Sequence, residues 1–346
     1  SMPMRCRQIA LKLTKPSSSF LPISRSVFRF IASCFHVLSC KNNKKKRNGK
    51  DNSSNLAGTA DYKYLCRMIF YFSGTGNSQW AAETLASETG DTLVSIPDVL
   101  GSECRFELKS GEHVGFIFPI HGWRVPRIIR EFLGRLSFGP GGGGTDGTMH
   151  YCFCLVTAGD SIGKAMERFQ QQLISVPCGR LLKLEAVFSL VMPESYVGLP
   201  GMDVDTKERE AVKKMAAEEE LKRFSKAVRG HLCGVEGKPW GWERLERGPI
   251  PSFFSGPVGG FFERFLITDT PFRVDSSRCV RCGICAGVCP VNDIKGGLGH
   301  EPDWLHNGKC LTCFSCYHHC PHHAIEYGKR TKNKGQYFYK RSRLHP

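Results

Sequence analysis

Eight of the 17 cysteines fall in two short runs, and their spacing is the most specific chemical signal in the chain. "CVRCGICAGVCP" places Cys279, Cys282, Cys285 and Cys289 before Pro290, and "CLTCFSCYHHCP" places Cys310, Cys313, Cys316 and Cys320 before Pro321. Each run reads C-x2-C-x2-C-x3-C-P. Thiolates three residues apart can wrap three corners of an iron–sulfur cubane while the fourth faces away. Zinc is the rival occupant, but it normally takes its four ligands as two separated pairs. Two like runs of four therefore favour iron. His318, His319, His322 and His323 crowd the second run. Eight thiolates already suffice for two clusters, so these histidines are expected to be solvated or to lie behind the ligands.

A second stretch, "FYFSGTGNSQW" (Phe70 to Trp80), joins an apolar run to a helix-like run through Ser73, Gly74, Thr75, Gly76, Asn77 and Ser78. A helix N-terminus carries partial positive charge and unpaired N–H groups, so it binds an anion without a cationic side chain. The glycines let the backbone wrap closely, and Ser73, Thr75 and Ser78 add hydroxyl donors. The lysine of a P-loop is absent, and the spacing also fails GxGxxG for dinucleotides. A single phosphate is the simplest ligand for such a loop.

These residues must be held by something. From Met68 onward, apolar runs alternate with helical patterns. "MIFYF", "DTLVSI", "HVGFIFPI", "YCFCLVTAG" and "LKLEAVFSLVMP" read as strands. "NSQWAAETLASETG", "PRIIREFLGRL", "SIGKAMERFQQQLI" and a long charged stretch from Asp203 to Val228 read as helices, the first closed by Gly90 and the second opened by Pro126. Continuous apolar strands alternating with helices predict a parallel sheet covered on both faces. Cys152 and Cys154, two apart on a strand, are expected to be packed side chains. "GPGGGG" reads as a flexible loop, and Gly230 to Thr270 as a looser Pro/Gly/Trp segment. No internal repeat is visible outside the cysteine runs.

The charge of +16 has the size of a nucleic-acid signal, but its distribution argues against one. Residues 1–67 hold 14 Lys/Arg and 2 Asp/Glu, and residues 329–346 hold 7 and none, which leaves 27 basic and 30 acidic residues between them. The excess sits at the two ends. Residues 1–67 read as a basic extension, disordered or not native to the fold: Ser1 before Met2 resembles a cloning scar, and the composition is that of a transit peptide. The apolar stretch Ser26 to Cys40 has too short a charge-free run to span a bilayer. The 329–346 tail reads as a solvated end. Nine cysteines are scattered, but two tight runs in a long chain point to metal and a reducing, cytoplasmic compartment.

The Ser-Gly-Thr-Gly-Asn-Ser loop after the first strand resembles the flavodoxin phosphate loop, which binds flavin mononucleotide (FMN). Two further loops agree by position. "FPIHGWRVP" follows the third strand, where flavodoxins place a loop against the isoalloxazine, and "VTAGDSIG" follows the fourth, where they place the second flavin loop. All three stand at the C-terminal ends of strands, the ligand crevice of open α/β sheets. The resemblance makes Pro119, His121, Gly122 and Trp123 contacts on one side of the flavin, with Trp123 stacking on the ring. It makes Thr157, Ala158, Gly159 and Asp160 the frame on the other. The order of flavin loop and cysteine runs, with "VMPESYVGLPG" and "PDWLHNGKC" between them, resembles the fused flavodoxin–ferredoxin (EFR-type) proteins of anaerobic bacteria, over Met68 to about Tyr337.

That resemblance implies a flavodoxin-like five-stranded parallel sheet, order 2-1-3-4-5, over residues 68–230. A linker would follow over 231–270, and a small α+β ferredoxin domain over 271–328. It also implies two [4Fe–4S] clusters. As in two-cluster ferredoxins, Cys279, Cys282, Cys285 and Cys320 would hold one, and Cys310, Cys313, Cys316 and Cys289 the other. The expected function is an electron relay between FMN, two clusters and an outside redox partner protein, with no catalytic residue of the chain's own. A flavin-dependent reductase is the alternative. It would need a substrate cavity over the flavin, roofed by Gly198 to Met202 or by Trp240 and Trp242. A redox or oxygen sensor is the third reading, although no output domain is visible.

Overall fold

The computed structural model describes residues 67–109, 111–139 and 149–339. The expectations for residues 1–66, for most of the glycine-rich loop and for the last seven residues lie outside them. Five strands form one parallel sheet: β1 (Met68–Tyr71), β2 (Thr92–Ser95), β3 (Val114–Pro119), β4 (His150–Ala158) and β5 (Leu182–Val191). Their order is β2-β1-β3-β4-β5. This is the 2-1-3-4-5 flavodoxin-like order, with its switch point between β1 and β3.

The central strands β1, β3 and β4 are buried on both faces and largely apolar, while the edge strands β2 and β5 also carry Thr92, Ser95, Lys183 and Glu185. Side chains alternate between the faces. Phe70, Phe116, Phe118, Cys152, Cys154 and Val156 point to one face. There they meet Ile128, Ile129, Phe132 and Leu133 of α2 (Arg127–Arg135) and Met166, Phe169 and Leu173 of α3 (Ala165–Ser175). Ile69, Ile117, Phe153 and Leu155 point to the other. They meet Ala81, Ala82 and Leu85 of α1 (Asn77–Thr89) and Leu221, Phe224 and Val228 of α4 (Lys207–Arg229). Cys152 and Cys154 are fully buried, on one face together. Gly90 ends α1 in the left-handed conformation. Helix α4 begins later than its charge pattern suggests: Thr206 caps it by accepting from the Arg209 N–H, while Asp203 and Asp205 turn away to hold loops.

The segment after α4 is ordered. Trp240 extends the sheet edge by one bridge, exchanging backbone hydrogen bonds with Glu185 and Val187 of β5. Pro251 to Leu266 is helical, with π-turns at Phe254–Val258 and Phe262–Leu266. Pro257 and three glycines hide this helix from propensity arguments. Its side chains pack instead onto the loop after β3.

The cysteine runs follow. β6 (Phe272–Val274) pairs antiparallel with β9 (Ile325–Tyr327), and β7 (Ile294–Gly297) forms a hairpin with β8 (His300–Trp304). One-turn helices occupy Ile284–Gly287 and Ser315–His318. The two runs are structural repeats. Left-handed residues recur at Arg281 and Thr312, Gly283 and Phe314, and Asn292 and His323, each pair 31 positions apart. Phe314 adopts φ 57° where its counterpart is glycine, a strained conformation for an aromatic residue. It is held there by Tyr196, Phe272 and Tyr327 at ring distances of 5.1–5.4 Å.

Candidate functional site

Cys279, Cys282, Cys285 and Cys320 line one hollow, and Cys289, Cys310, Cys313 and Cys316 line another. Each hollow takes three cysteines from one run and the last cysteine of the other. Among the described residues no three His, Cys, Asp or Glu side chains converge on a point where a single ion would sit; the thiols surround a space instead. Backbone N–H groups aim at the sulfurs: Asp293 N to Cys289 (3.3 Å), Thr312 N to Cys310 (3.4 Å) and Ala324 N to Cys320 (3.3 Å). Such donors tune a cluster's potential. Burial pushes the Cys313 thiol up to about 12 and raises Cys310 and Cys316 as well. A metal group entering there must displace protons.

The two hollows differ in setting. The first borders solvent, with Val280 and Ile284 exposed on its wall and Leu298, bridged to Cys282, 86% exposed. The second is walled by Phe272, Trp304, Leu311 and Phe314, all buried. Leu311, Cys313 and Val291 pack on the core of the sheet, and Arg127 of α2 donates to the Cys310 carbonyl (3.1 Å). We call the first the outer site and the second the inner site.

The inner site abuts the glycine loop. A Cβ added to Gly74 would stand 2.9 Å from Cys313 Cβ, so only glycine fits. Gly76 precedes α1 in the left-handed conformation. The Ser73 hydroxyl accepts from the Gly76 N–H (3.0 Å) and shapes the turn, Ser78 Oγ meets Thr157 Oγ1 (2.8 Å), and Thr75 Oγ1 donates to Ser195 Oγ (3.3 Å). Asn77 Nδ2 donates to the Pro193 carbonyl (3.2 Å). Thr75, Asn77 and Ser78 are thus tied to the end of β4 and to the loop after β5. Among the described residues no acceptor meets the N–H groups of Gly74, Thr75, Asn77 or Ser78, which leaves them for an anion. The cradle fits a phosphate.

After β3, His121 and Arg124 exchange backbone hydrogen bonds (3.1 Å each) around Gly122 and Trp123, at φ 55° and 58°. Two positive φ values make this a type I′ turn. Trp123 in that conformation is held from two sides: its Nε1–H donates to Ser161 Oγ (3.2 Å) and its ring packs on Phe254 at 4.8 Å. One face of the indole expected to stack on a ring is therefore taken by Phe254. Pro119 ends β3 beside Thr157 of β4. His121 stands edge-on to Phe72 at 6.0 Å, and burial pushes its imidazole down to about 4, keeping it neutral. After β4, Ala158 and Gly159 lie half-buried, while Asp160 is exposed and accepts from the Ser161 N–H.

Several residues at this site carried no sequence signal. Phe262 covers Gly122 so closely that a Cβ there would lie 2.5 Å from its ring. The Ser255 hydroxyl donates to the Trp123 carbonyl (2.8 Å), and Arg124 and Arg130 both pair with Glu263. The Gly230 to Thr270 segment is thus the cover of the first ring loop. Glu194 crowds Gly159 and accepts from the Ser195 and Tyr196 N–H groups; burial raises its carboxyl pKa. Tyr196 lies between Phe262 (5.1 Å) and Phe314 (5.3 Å), its buried hydroxyl without a partner. Trp240 and Trp242 do not roof the loops. Trp240 packs on Phe188 and Phe224 on the far side of the sheet, and Trp242 stacks on Arg247. Of the four histidines expected to be solvated or to lie behind the ligands, His318 is 1% exposed. Its Nε2–H donates to the Ser195 carbonyl (2.7 Å), and Nδ1 accepts from Tyr337.

Residues 272–321 match the family model of the 4Fe-4S dicluster domain. Among curated proteins no match is found. Among solved structures the chain is similar to an azoreductase from Bacillus anthracis, at 9% identity and a TM-score of 0.28, over 48% of this chain and 99% of that one. It is also similar to general stress protein 14 from Treponema denticola, determined in complex with FMN, at 12% identity and a TM-score of 0.29, over 47% of this chain and 99% of that one. The fold assignment rests on the strand order itself. The chain thus joins a flavodoxin-like α/β sheet to a later segment, residues 272–321, that matches the 4Fe-4S dicluster domain. Among the described residues no helix is long and apolar enough to cross a membrane.

Proposed function

We propose that this chain is an electron relay that holds FMN and two [4Fe–4S] clusters and exchanges electrons with an outside redox protein. The observation that carries the reading is the contact between Gly74 of the phosphate-type loop and Cys313 of the inner thiol site. Two cofactor cradles built from distant parts of the sequence share a wall. A cluster supplies single-electron transfer, and a flavin one- or two-electron and hydride chemistry.

The polypeptide's own work is placement. Cys289, Cys310, Cys313 and Cys316 would hold the inner cluster, and Cys279, Cys282, Cys285 and Cys320 the outer one. The free N–H groups of Gly74, Thr75, Asn77 and Ser78 would take the flavin phosphate. The turn His121–Arg124 and residues Thr157–Asp160 would frame the ring, with neutral His121 and the Tyr196 hydroxyl as polar neighbours. The buried aromatic wall of the inner site would join that cluster to the sheet, while the exposed rim of the outer site would be open to a partner. The relay order would then be flavin, inner site, outer site, partner.

Anaerobic reconstitution followed by iron, sulfide and flavin analysis tests the reading. About eight iron atoms per chain, matching sulfide and one FMN are expected. Zinc without sulfide, or an oxygen-protected sample with no visible absorption, would overturn it.

A further inference from the structure

Residues Lys334–Tyr339, which sequence places in a solvated tail, run back across the molecule and touch both cofactor cradles. Tyr337 Oη donates to Asn77 Oδ1 (2.6 Å), and the Tyr339 N–H donates to the Thr75 carbonyl (2.7 Å). The Tyr339 ring stacks on Trp80 at 5.1 Å, and Lys214 stands 4.6 Å above it. On the other side, Gln336 Nε2 donates to the Tyr317 and Cys320 carbonyls, the Tyr337 N–H donates to His318 Nδ1 (3.1 Å), and Phe338 stacks on His319 at 4.5 Å. Lys334 Nζ donates to the Val197 and Leu199 carbonyls. The segment is bound at every residue from Lys334 to Tyr339.

We propose that Tyr337 and Tyr339 are positioning residues of the flavin phosphate site, carried on a strap that makes retention of the flavin and of the clusters depend on each other. The proposal rests on the FMN reading above. An anion cradle needs its N–H groups turned inward and its carbonyls turned out. The strap's N–H takes the Thr75 carbonyl, and the Tyr337 hydroxyl fixes the Asn77 side chain, which would otherwise compete for the same helix N-terminus. The same strap clamps residues Tyr317 to Cys320, between the last ligand of the inner site and the last cysteine of the outer one. Loss of clusters loosens this turn, and through Tyr337 the phosphate loop. Coupling between two binding events is reciprocal, so flavin must protect the clusters as the clusters protect flavin.

The test uses full-length protein under anaerobic conditions, with FMN release followed by recovery of flavin fluorescence. Wild type, Tyr337→Phe and Tyr339→Ala are compared, each with clusters loaded and after removal of iron by a chelator. In loaded protein Tyr337→Phe is expected to release FMN about tenfold faster, the loss of one buried hydrogen bond. Chelation is expected to speed release from wild type by at least as much, and from the variants far less. Added FMN should slow iron loss to the chelator in wild type but not in the variants. Wild-type iron content in Tyr337→Phe shows that the fold is kept, so this conservative change decides if Tyr339→Ala unfolds. Equal release from wild type and Tyr337→Phe, or equal responses to chelation, overturns the strap. Wild-type protein that takes up no FMN at all overturns the flavin reading, and the strap with it.

Discussion

The inner and outer thiol sites are written by the same pattern, C-x2-C-x2-C-x3-C-P, yet they occupy opposite environments. The outer hollow is edged by exposed Val280, Ile284 and Leu298, and nearby charges are paired within the chain: Arg281 with Glu301, and Arg278 with Asp275 and Glu326. The inner hollow is walled by Phe272, Trp304, Leu311 and Phe314 and leans on the flavodoxin-like sheet. A ligand pattern fixes which chemistry a site can hold; the surrounding packing decides whom that site can serve. The outer site has the apolar rim most exposed to a partner, and the inner site is the one joined to the sheet.

The largest effect should come from removing one ligand at each site. Cys282→Ser and Cys313→Ser are each expected to cut iron from about eight to about four atoms per chain. Cys313→Ser should lower FMN content more than Cys282→Ser, because Cys313 packs directly on the phosphate-type loop while the outer site reaches it only through the strap. Equal flavin loss from both variants would erase the distinction between the sites.

Acid should single out the sheltered half next. Burial holds His121 at about 4, below its ordinary 6.5, so between those values the unfolded chain binds a proton that the folded chain refuses. The stability contributed is complete above pH 6.5 and is lost as pH falls towards 4, with a slope of about 1.4 kcal/mol per pH unit. Urea unfolding of wild type and His121→Gln at several pH values would show the difference, because contributions common to both proteins cancel. A His121→Gln protein as acid-sensitive as wild type would mean that the imidazole is not sheltered.

A steric change comes third. Gly74→Ala drives a methyl group to 2.9 Å from Cys313 Cβ, where neither backbone can give way easily. About 1–3 kcal/mol of destabilisation is expected from such overpacking, with the visible spectrum of the inner cluster changed and that of the outer one kept.

The sheet and the thiol runs were legible because their signals are local and periodic. The central strands are near-continuous apolar runs, and the cysteines repeat at short spacing. The cover over His121–Arg124 was not legible: Pro257 and the glycines of "SGPVGG" argue against the helix that tertiary contacts impose. Nor was the strap, since "GQYFY" lies among lysines and reads as solvent-exposed, and only its contact with Asn77, some 260 positions earlier, gives it a role. Which of the four histidines lies behind the ligands was left open for a related reason. One histidine among four neighbours has nothing in its own sequence to mark it as the buried one. Contacts between distant segments leave no periodic trace, and the candidate site is made largely of such contacts.

The smallest structural effect should accompany a clear kinetic one. Leu298 is 86% exposed and stands opposite Cys282 at the outer hollow, so Leu298→Glu removes no packing. Its stability should stay within about 0.5 kcal/mol of wild type, and iron and flavin contents should be unchanged. A redox encounter buries little area, so one charge placed in a small apolar rim is a large fraction of it. Electron exchange with a protein carrier should slow, while exchange with a small dye, which needs no docked surface, should not. Stopped-flow reduction with each donor separates the two. Placing the same charge beyond the rim, as Val212→Glu on the exposed face of α4, should leave both rates alone. If Leu298→Glu slows neither donor while Val212→Glu slows the carrier, the port lies elsewhere and the outer site's exposure has no bearing on partner choice.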